Sequence, residues 1–80
     1  MTYAIAWSSP ATLALRAMPW RDAERVDAAV QRYAATGQGS HFRYERDEPL
    51  SLRLEVQPYV VRLSLDTHER VLRVWYVYRT

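Results

Sequence analysis

The sequence predicts an α+β fold, in which two N-terminal helices pack on an antiparallel sheet formed by the C-terminal half of the chain. Two observations support this fold class. Apolar residues recur at helical spacing in the first half, whereas beyond residue 40 they alternate with polar residues, as is typical of strands. The chain has 80 residues, enough for one hydrophobic core, so we expect a single domain spanning residues 1–80.

Local signals near the N-terminus predict the first strand and the first helix. Residues 2–7 alternate larger and smaller side chains with period 2, which indicates a strand. Ser8 is a suitable N-cap, and Pro10 fits a first helical position because its missing N–H costs nothing there. We therefore expect a short helix from Pro10 to Met18, ended by Pro19.

A second helix is predicted from Asp22 to Thr36. Acidic residues are concentrated in its first turns, where they interact favourably with the positive end of the helix dipole. Gly37 follows its last residue and suits the left-handed conformation that ends many helices. The apolar stripe expected to face the sheet consists of Ala23, Val26, Val30 and Tyr33.

Three longer segments with alternating apolar residues predict the main strands of the sheet. They span residues 50–56, 59–65 and 71–79, separated by turns at 57–58 and 66–70. A shorter strand is predicted from His41 to Arg46, followed by a turn at residues 47–49. Because these connections are too short for parallel crossovers, the late strands must pair antiparallel. The predicted layout is β-α-α-β-β-β, with the helices on one face and solvent or a partner on the other.

The alternation also predicts which side chains face the core. The inward residues are Leu50, Leu52, Leu54, Val56, Tyr59, Val61, Leu63, Leu65, Leu72, Val74, Tyr76 and Tyr78. The outward residues are Ser51, Arg53, Glu55, Val60, Arg62, Ser64, Arg73, Trp75, Val77 and Arg79. Four arginines therefore fall on the outward face. They indicate an anion-binding surface, and the alternative is a solvated polar face with salt bridges to neighbouring carboxylates.

Arginine supplies all the positive side-chain charge, because the chain contains eleven arginines and no lysine. The planar guanidinium group suits phosphate, but it keeps its proton at physiological pH and cannot act as a general base. Acid–base chemistry therefore requires a histidine, a carboxylate or a tyrosine. The net charge of +2 is too small to make either half a strongly cationic arm, so an anion site depends on the placement of individual arginines.

Composition also limits cofactors and location. The chain has no cysteine, so neither a disulfide nor a thiolate metal site is possible, and we expect no metal and no cofactor. No apolar run approaches the roughly 20 residues that cross a bilayer, and the first residues lack the cationic region of a signal peptide. We therefore expect a cytoplasmic protein without a membrane partner.

Several local strings, in this order, resemble the RelE/ParE superfamily of toxins from bacterial type II toxin–antitoxin modules. They are Tyr3-Ala4-Ile5-Ala6-Trp7-Ser8, Arg25-Val26 to Val30, Tyr33-Ala34 with Thr36-Gly37-Gln38-Gly39, Leu52-Arg53-Leu54-Glu55-Val56 with Tyr59, and Val71-Leu72-Arg73-Val74. The resemblance spans nearly the whole chain and implies a RelE/ParE-like fold.

The resemblance also implies a partner and a choice of targets. Such toxins are encoded beside a cognate antitoxin protein that wraps and neutralises them. Ribonuclease members cut mRNA in the ribosomal A site, whereas ParE-like members poison DNA gyrase. We expect translation inhibition by ribosome-dependent mRNA cleavage. The alternatives are a gyrase poison without nuclease chemistry and a degenerate member that only binds its antitoxin.

Candidate catalytic residues follow from the same resemblance. Arg53 matches a basic position of the family, and Arg79 resembles its arginine near the C-terminus, so both are expected to hold phosphate. Val60 stands where many ribonuclease members have arginine, and Arg62 lies two residues further along the same face. Glu55 stands where a second basic residue is common and is a candidate base, the alternative being a cross-strand ion pair with the neighbours of Arg53.

The remaining candidates complete the predicted site. His41 or Tyr78 is a candidate acid, and Arg43 and Arg73 are candidate nucleic-acid-binding residues. Trp75 is expected to stack on a base, with packing as the alternative. His68, the other histidine, lies in a predicted hairpin loop, where we expect it to be solvated.

Overall fold

The computed structural model describes residues 2–39, 41–43 and 50–80, with side chains described for 2–39 and 51–80. Its elements in chain order are β1 (Ala4–Trp7), α1 (Ser9–Ala17), α2 (Trp20–Thr36), β2 (His41–Arg43), β3 (Leu50–Val56), β4 (Tyr59–Asp66) and β5 (Val71–Arg79). The predicted α+β class is confirmed. The predicted turn at 47–49 and the second half of the predicted strand 41–46 lie outside the described residues.

Within the described residues, the strands form a five-stranded sheet in the order β1-β5-β4-β3-β2. Strands β2 to β5 pair antiparallel as a meander, which confirms the predicted pairing of the late strands. β2 is the strand predicted to begin at His41, which the β-α-α-β-β-β layout leaves out. One feature goes beyond the prediction: β1 pairs in parallel with β5, with Ala4 opposite Val71. The long helical connection that follows β1 permits this parallel pairing.

The helix boundaries agree with their sequence signals. The Ser8 side chain accepts a hydrogen bond from the backbone N–H of Ala11 at 3.1 Å, so Ser8 is the N-cap of α1. Gly37 has a left-handed φ of 73° and donates its N–H to the carbonyl of Tyr33 at 2.8 Å, which ends α2. The start of α2 lies at Trp20, two residues before the predicted Asp22. Neither helix is long and apolar enough to cross a membrane, within the part of the chain that the structure describes.

One side of the sheet, which we call the helix face, packs against both helices and contains the core. The buried core residues are Ala11, Val26, Val30, Tyr33, Ala34, Leu52, Leu54, Tyr59, Val61, Leu63, Leu65, Leu72, Val74 and Val77. Burial is therefore confirmed for Leu52, Leu54, Val61, Leu63 and Val74, which the alternation predicts to face inward. Tyr76 has the same predicted orientation but is 57% exposed.

A β-bulge in β5 explains this exception. Arg62 pairs with Tyr76 and the next residue of β4, Leu63, pairs with Val74, so Trp75 is an extra residue in β5. An extra residue shifts the alternation by one, and every side chain beyond it moves to the opposite face.

The predicted orientations beyond Trp75 are consequently wrong. Val77 faces the helices and is 8% exposed, whereas Tyr76 and Tyr78 face the other side of the sheet. Arg79 moves with Val77, because its partner across the strands is the buried Tyr59. The bulge therefore places Tyr76 and Tyr78 on the outward side, where Val77 and Arg79 were predicted.

Candidate functional site

The side of the sheet opposite the helices, which we call the open face, has a regular arrangement of side chains. The strand register defines three rows that cross β3, β4 and β5. The rows are Ser51–Ser64–Arg73, Arg53–Arg62–Tyr76 and Glu55–Val60–Tyr78. Adjacent strands lie about 4.8 Å apart, so neighbours within a row are in direct contact range.

The middle row places two arginines side by side. Arg53 and Arg62 are direct cross-strand partners, and such partners have Cβ atoms about 4.5–5.5 Å apart. The Nε atoms of both side chains are buried. Like charges directly opposite each other destabilise a sheet, so this arrangement has a cost that binding of an anion would offset. The pair is the strongest indication of an anion site on the open face.

Glu55 lies beside the two arginines and forms an ion pair with Arg53. Its Oε1 atom is 3.4 Å from Nη2 of Arg53, and the two side chains are 37% and 36% exposed. An exposed ion pair of this kind contributes under about 1 kcal/mol. The observed partner is Arg53 on the same strand, whereas the predicted alternative was a cross-strand ion pair with the neighbours of Arg53. The carboxylate remains partly exposed to solvent.

Two residues of the open face are buried although their positions point away from the helices. Val60 is 7% exposed and Ser64 is 5% exposed. Val60 lies between Glu55 and Tyr78 in its row, where it forms an apolar floor. Ser64 accepts a hydrogen bond from the indole Nε1 of Trp75 at 2.8 Å. In two of the three rows, the middle residue, which lies on β4, is therefore buried.

Trp75 is held at two points. Its indole N–H donates to Ser64, and its backbone carbonyl accepts a hydrogen bond from the Ser8 hydroxyl at 2.6 Å. The same Ser8 caps α1, so the helix N-terminus and the bulge share one side chain. Trp75 as a whole is 44% exposed, and a cavity of about 100 Å³ lies beside it. Trp75 thus combines packing with an accessible ring.

Tyr59 belongs to the helix face and has a structural contact there. Its hydroxyl donates to Oδ2 of Asp22 at 2.7 Å. This hydrogen bond, together with burial and the negative charge of Asp22, raises the pKa of Tyr59 above its ordinary value of 10.0. Arg25 contacts Asp22 at 3.6 Å and donates to the carbonyl of Gln57 at 2.6 Å. These contacts attach the first turns of α2 to the β3–β4 turn.

Arg79 lies on the same side as Tyr59, contrary to the sequence prediction. It lines a groove of about 310 Å³ between α1 and β5, together with Ala14, Ala17, Met18, Tyr59, Val77 and Tyr78. Because the bulge moves Arg79 to the helix face, it lies on the side of the sheet opposite Arg53. The role of Arg79 in holding phosphate stays a prediction.

The other candidates fall in different places. Arg73 is exposed on the open face, one row from Arg62. In β2, Arg43 is the backbone partner of Leu52, and His41 is the partner of Leu54. His68 is exposed in the β4–β5 turn, where its backbone N–H donates to Asp66. Among the residues that the structure describes, no group of three His, Asp or Glu side chains could hold a metal ion.

The structure therefore brings together Arg53, Glu55 and Arg62, with Arg73 and Trp75 in adjoining positions. Sequence reasoning missed Tyr76, which the alternation assigned to the core. The sequence of β5 contained a signal for the bulge. Its aliphatic residues alternate at Leu72 and Val74, but the next one is Val77 and not residue 76, so the alternation changes phase. Tyrosine fits either face, so it concealed the change of phase.

Comparison with solved structures identifies chains of the same fold. A chain of the archaeal RelE–RelB complex from Pyrococcus horikoshii OT3 has a TM-score of 0.87 at 15% sequence identity, covering 99% of this chain and 96% of that chain. A chain of the RelBE2 toxin–antitoxin complex from Mycobacterium tuberculosis has a TM-score of 0.80 at 14% identity, with complete coverage of both chains (100% each). A chain of the RelB–RelE complex from Methanococcus jannaschii has a TM-score of 0.67 at 10% identity, covering 92% and 88%.

Comparison by sequence is uninformative, because no family model and no curated protein matches the chain. The structural likeness nevertheless extends over essentially the whole length of this chain and of the first two neighbours. The chain therefore has the fold of a RelE-like toxin.

Proposed function

We propose that the protein is the toxin of a toxin–antitoxin pair, and that it inhibits translation by cutting mRNA on the ribosome. The observation that supports this most is the Arg53–Arg62 pair on the open face of a RelE-like fold. Two guanidinium groups held side by side offer positive charge and paired N–H donors to the oxygens of a phosphodiester. The solved neighbours are chains of RelE–RelB complexes, which supports a cognate antitoxin as the partner of this chain.

The row next to the arginines contains groups suited to acid–base chemistry. Glu55 and Tyr78 lie on either side of Val60, about two strand spacings apart, so a phosphodiester above Val60 would lie between them. The Glu55 carboxylate would accept the proton of the 2′-hydroxyl, and Tyr78 would donate a proton to the 5′-oxygen. Arg53 and Arg62 would stabilise the charge that develops on the phosphate.

The bonds and protons of this reaction balance without a cofactor. The 2′-oxygen forms a bond to phosphorus as its proton moves to Glu55, and the bond from phosphorus to the 5′-oxygen breaks as that oxygen takes the proton of Tyr78. The products are a 2′,3′-cyclic phosphate and a 5′-hydroxyl end. The site needs neither an arginine at position 60 nor Arg79 for these steps.

A second candidate function is supported by the ion pair. Because the Glu55 carboxylate already contacts Arg53, the open face also fits a surface that binds its target without acid–base chemistry. Such a protein would be a gyrase poison, or a degenerate member that only binds its antitoxin. Neither activity requires Glu55 as a base.

Incorporation of labelled precursors after induction in cells separates these functions. The proposal predicts that methionine incorporation falls within minutes, before thymidine incorporation changes. Arg53→Ala and Arg62→Ala should abolish this effect, whereas Arg32→Ala, which removes an exposed arginine on α2, should retain it. A gyrase poison would instead reduce thymidine incorporation first. If neither precursor is affected, both toxin activities are excluded.

A further inference from the structure

We infer that Trp75 and Tyr76 form a stacking platform for the bases of single-stranded RNA, whose phosphates lie over Arg53 and Arg62. The inference rests on the proposed function and specifies how the open face holds its substrate. It follows from the β-bulge, which places Tyr76 on the same side as the arginines.

The two side chains are unusually accessible for large aromatic residues in a sheet. Trp75 is 44% exposed and Tyr76 is 57% exposed, and they are consecutive residues of β5, which lies between β1 and β4. The helix face of the same strand buries Leu72 and Val74 completely. Exposed aromatic rings on a sheet are the surface with which several RNA-binding domains stack two or three bases.

Tyr76 lies in the same row of the open face as the two arginines. Tyr76 is the direct partner of Arg62, which is the direct partner of Arg53. A nucleotide whose phosphate contacts Arg62 can therefore place its base over the neighbouring ring of Tyr76. The row crosses the strands, which lie about 4.8 Å apart, so an RNA backbone that follows the row from β4 to β3 would pass over both arginines.

The hydrogen bonds of Trp75 fix its ring before RNA binds. Its Nε1 donates to the buried Ser64 and its carbonyl accepts from Ser8, so both the indole and the bulge are anchored. A ring that is already ordered loses little conformational entropy on binding, which increases affinity. Stacking uses the face of the base and not its hydrogen-bonding edge, so this platform should tolerate many sequences.

The platform can be tested by binding of a short fluorescein-labelled 2′-O-methyl oligonucleotide, which cannot be cut because its 2′-oxygen is blocked. A matched oligonucleotide with the same backbone and abasic positions lacks the stacking groups. Fluorescence anisotropy should show that Tyr76→Ala weakens binding of the base-containing strand by about 5- to 150-fold. The same variant should bind the abasic strand as wild type does, and Tyr76→Phe should bind both strands as wild type does.

Arginine variants provide the complementary result. Arg62→Ala should weaken binding of both strands alike and reduce the slope of log K against log salt by about one, because it removes a phosphate contact. Tyr76→Ala should leave that slope unchanged. Quenching of tryptophan fluorescence by the base-containing strand should disappear in Trp75→Phe, which leaves Trp7 and Trp20 in place.

The platform is overturned if Tyr76→Ala weakens binding of both strands equally, or of neither. Failure of the platform and failure of the proposed function give different results. If wild type halts protein synthesis while Tyr76→Ala binds both strands as tightly as wild type, only the platform is wrong. If protein synthesis continues and the wild-type chain binds neither strand, the proposed function is wrong as well.

Discussion

The helix face and the open face belong to the same strands but differ in what surrounds their side chains. On the helix face, Leu52 and Leu72 are fully buried against the helices. On the open face, their neighbours along the strands, Arg53 and Arg73, reach solvent. Alternate residues of one strand therefore pack into the core on one side and reach solvent on the other. Substitutions on the two faces should consequently have separable effects on folding and on activity.

Loss of a core leucine should have the largest effect on stability. Leu52→Ala should lower the free energy of unfolding by about 2–5 kcal/mol, because it removes buried methyl groups and leaves a cavity. Urea unfolding followed by circular dichroism measures this change. Leu13→Ala is the matched control, since Leu13 is 62% exposed, and it should stay within about 0.5 kcal/mol of wild type. Equal losses in the two variants would refute the assignment of the helix face as the core.

Removal of the side chain shared by α1 and the bulge should have an intermediate effect. Ser8→Ala loses the N-cap hydrogen bond to Ala11 and the hydrogen bond to the carbonyl of Trp75, and should cost about 0.5–2 kcal/mol. The neighbouring Ser9→Ala, at an exposed position, is the control. Thermal unfolding of the two variants side by side measures the difference. A Ser8→Ala protein as stable as Ser9→Ala would argue against a structural role for Ser8.

The hydrogen bond from Tyr59 to Asp22 predicts a pH dependence with a definite sign. Because the folded state raises the pKa of Tyr59, the contribution is present below the unfolded pKa of 10.0 and is lost as pH rises through the folded pKa. Tyr59→Phe should lower the melting temperature at pH 7. Above pH 10 the melting temperature of this variant should fall less steeply with pH than that of wild type. Parallel alkaline unfolding curves for wild type and Tyr59→Phe would contradict this interpretation. The other tyrosines are unchanged in both proteins and so act as an internal control.

The ion pair on the open face should have the smallest effect on stability. Glu55→Gln removes an exposed pair worth under about 1 kcal/mol, so urea unfolding should hardly change. If Glu55 is the base, cleavage of mRNA on purified ribosomes should nevertheless fall by about 100-fold or more. Cleavage that persists at the wild-type rate would favour the binding function over the nuclease.

The fold was predictable where local chemistry decides it. Ser8 with Pro10 marks the start of α1, Gly37 marks the end of α2, and the alternation of residues 50–56 fixes the side of Leu52. The parallel position of β1 beside β5 was not predictable, because it depends on contacts between distant parts of the chain and has no local signal.

The candidate site was predictable only up to the bulge. Arg53, Glu55 and Arg62 precede it in the chain, and the alternation assigns them correctly to the open face. Beyond Trp75 a single extra residue reverses every orientation, which exposes Tyr76 and moves Arg79 to the helix face. Tyrosine is compatible with both environments, so composition alone does not reveal the shift.

The central claim is that the Arg53–Arg62 pair is the phosphate site of a nuclease. The most direct measurement is the rate of mRNA cleavage on purified ribosomes by Arg53→Ala, Arg62→Ala and the control Arg32→Ala, with urea unfolding of each. We predict that both open-face variants lose at least about 100-fold in rate, on the order of 2.7–4 kcal/mol, with little change in stability. The control should cleave like wild type. Equal rates in all three variants would contradict the claim.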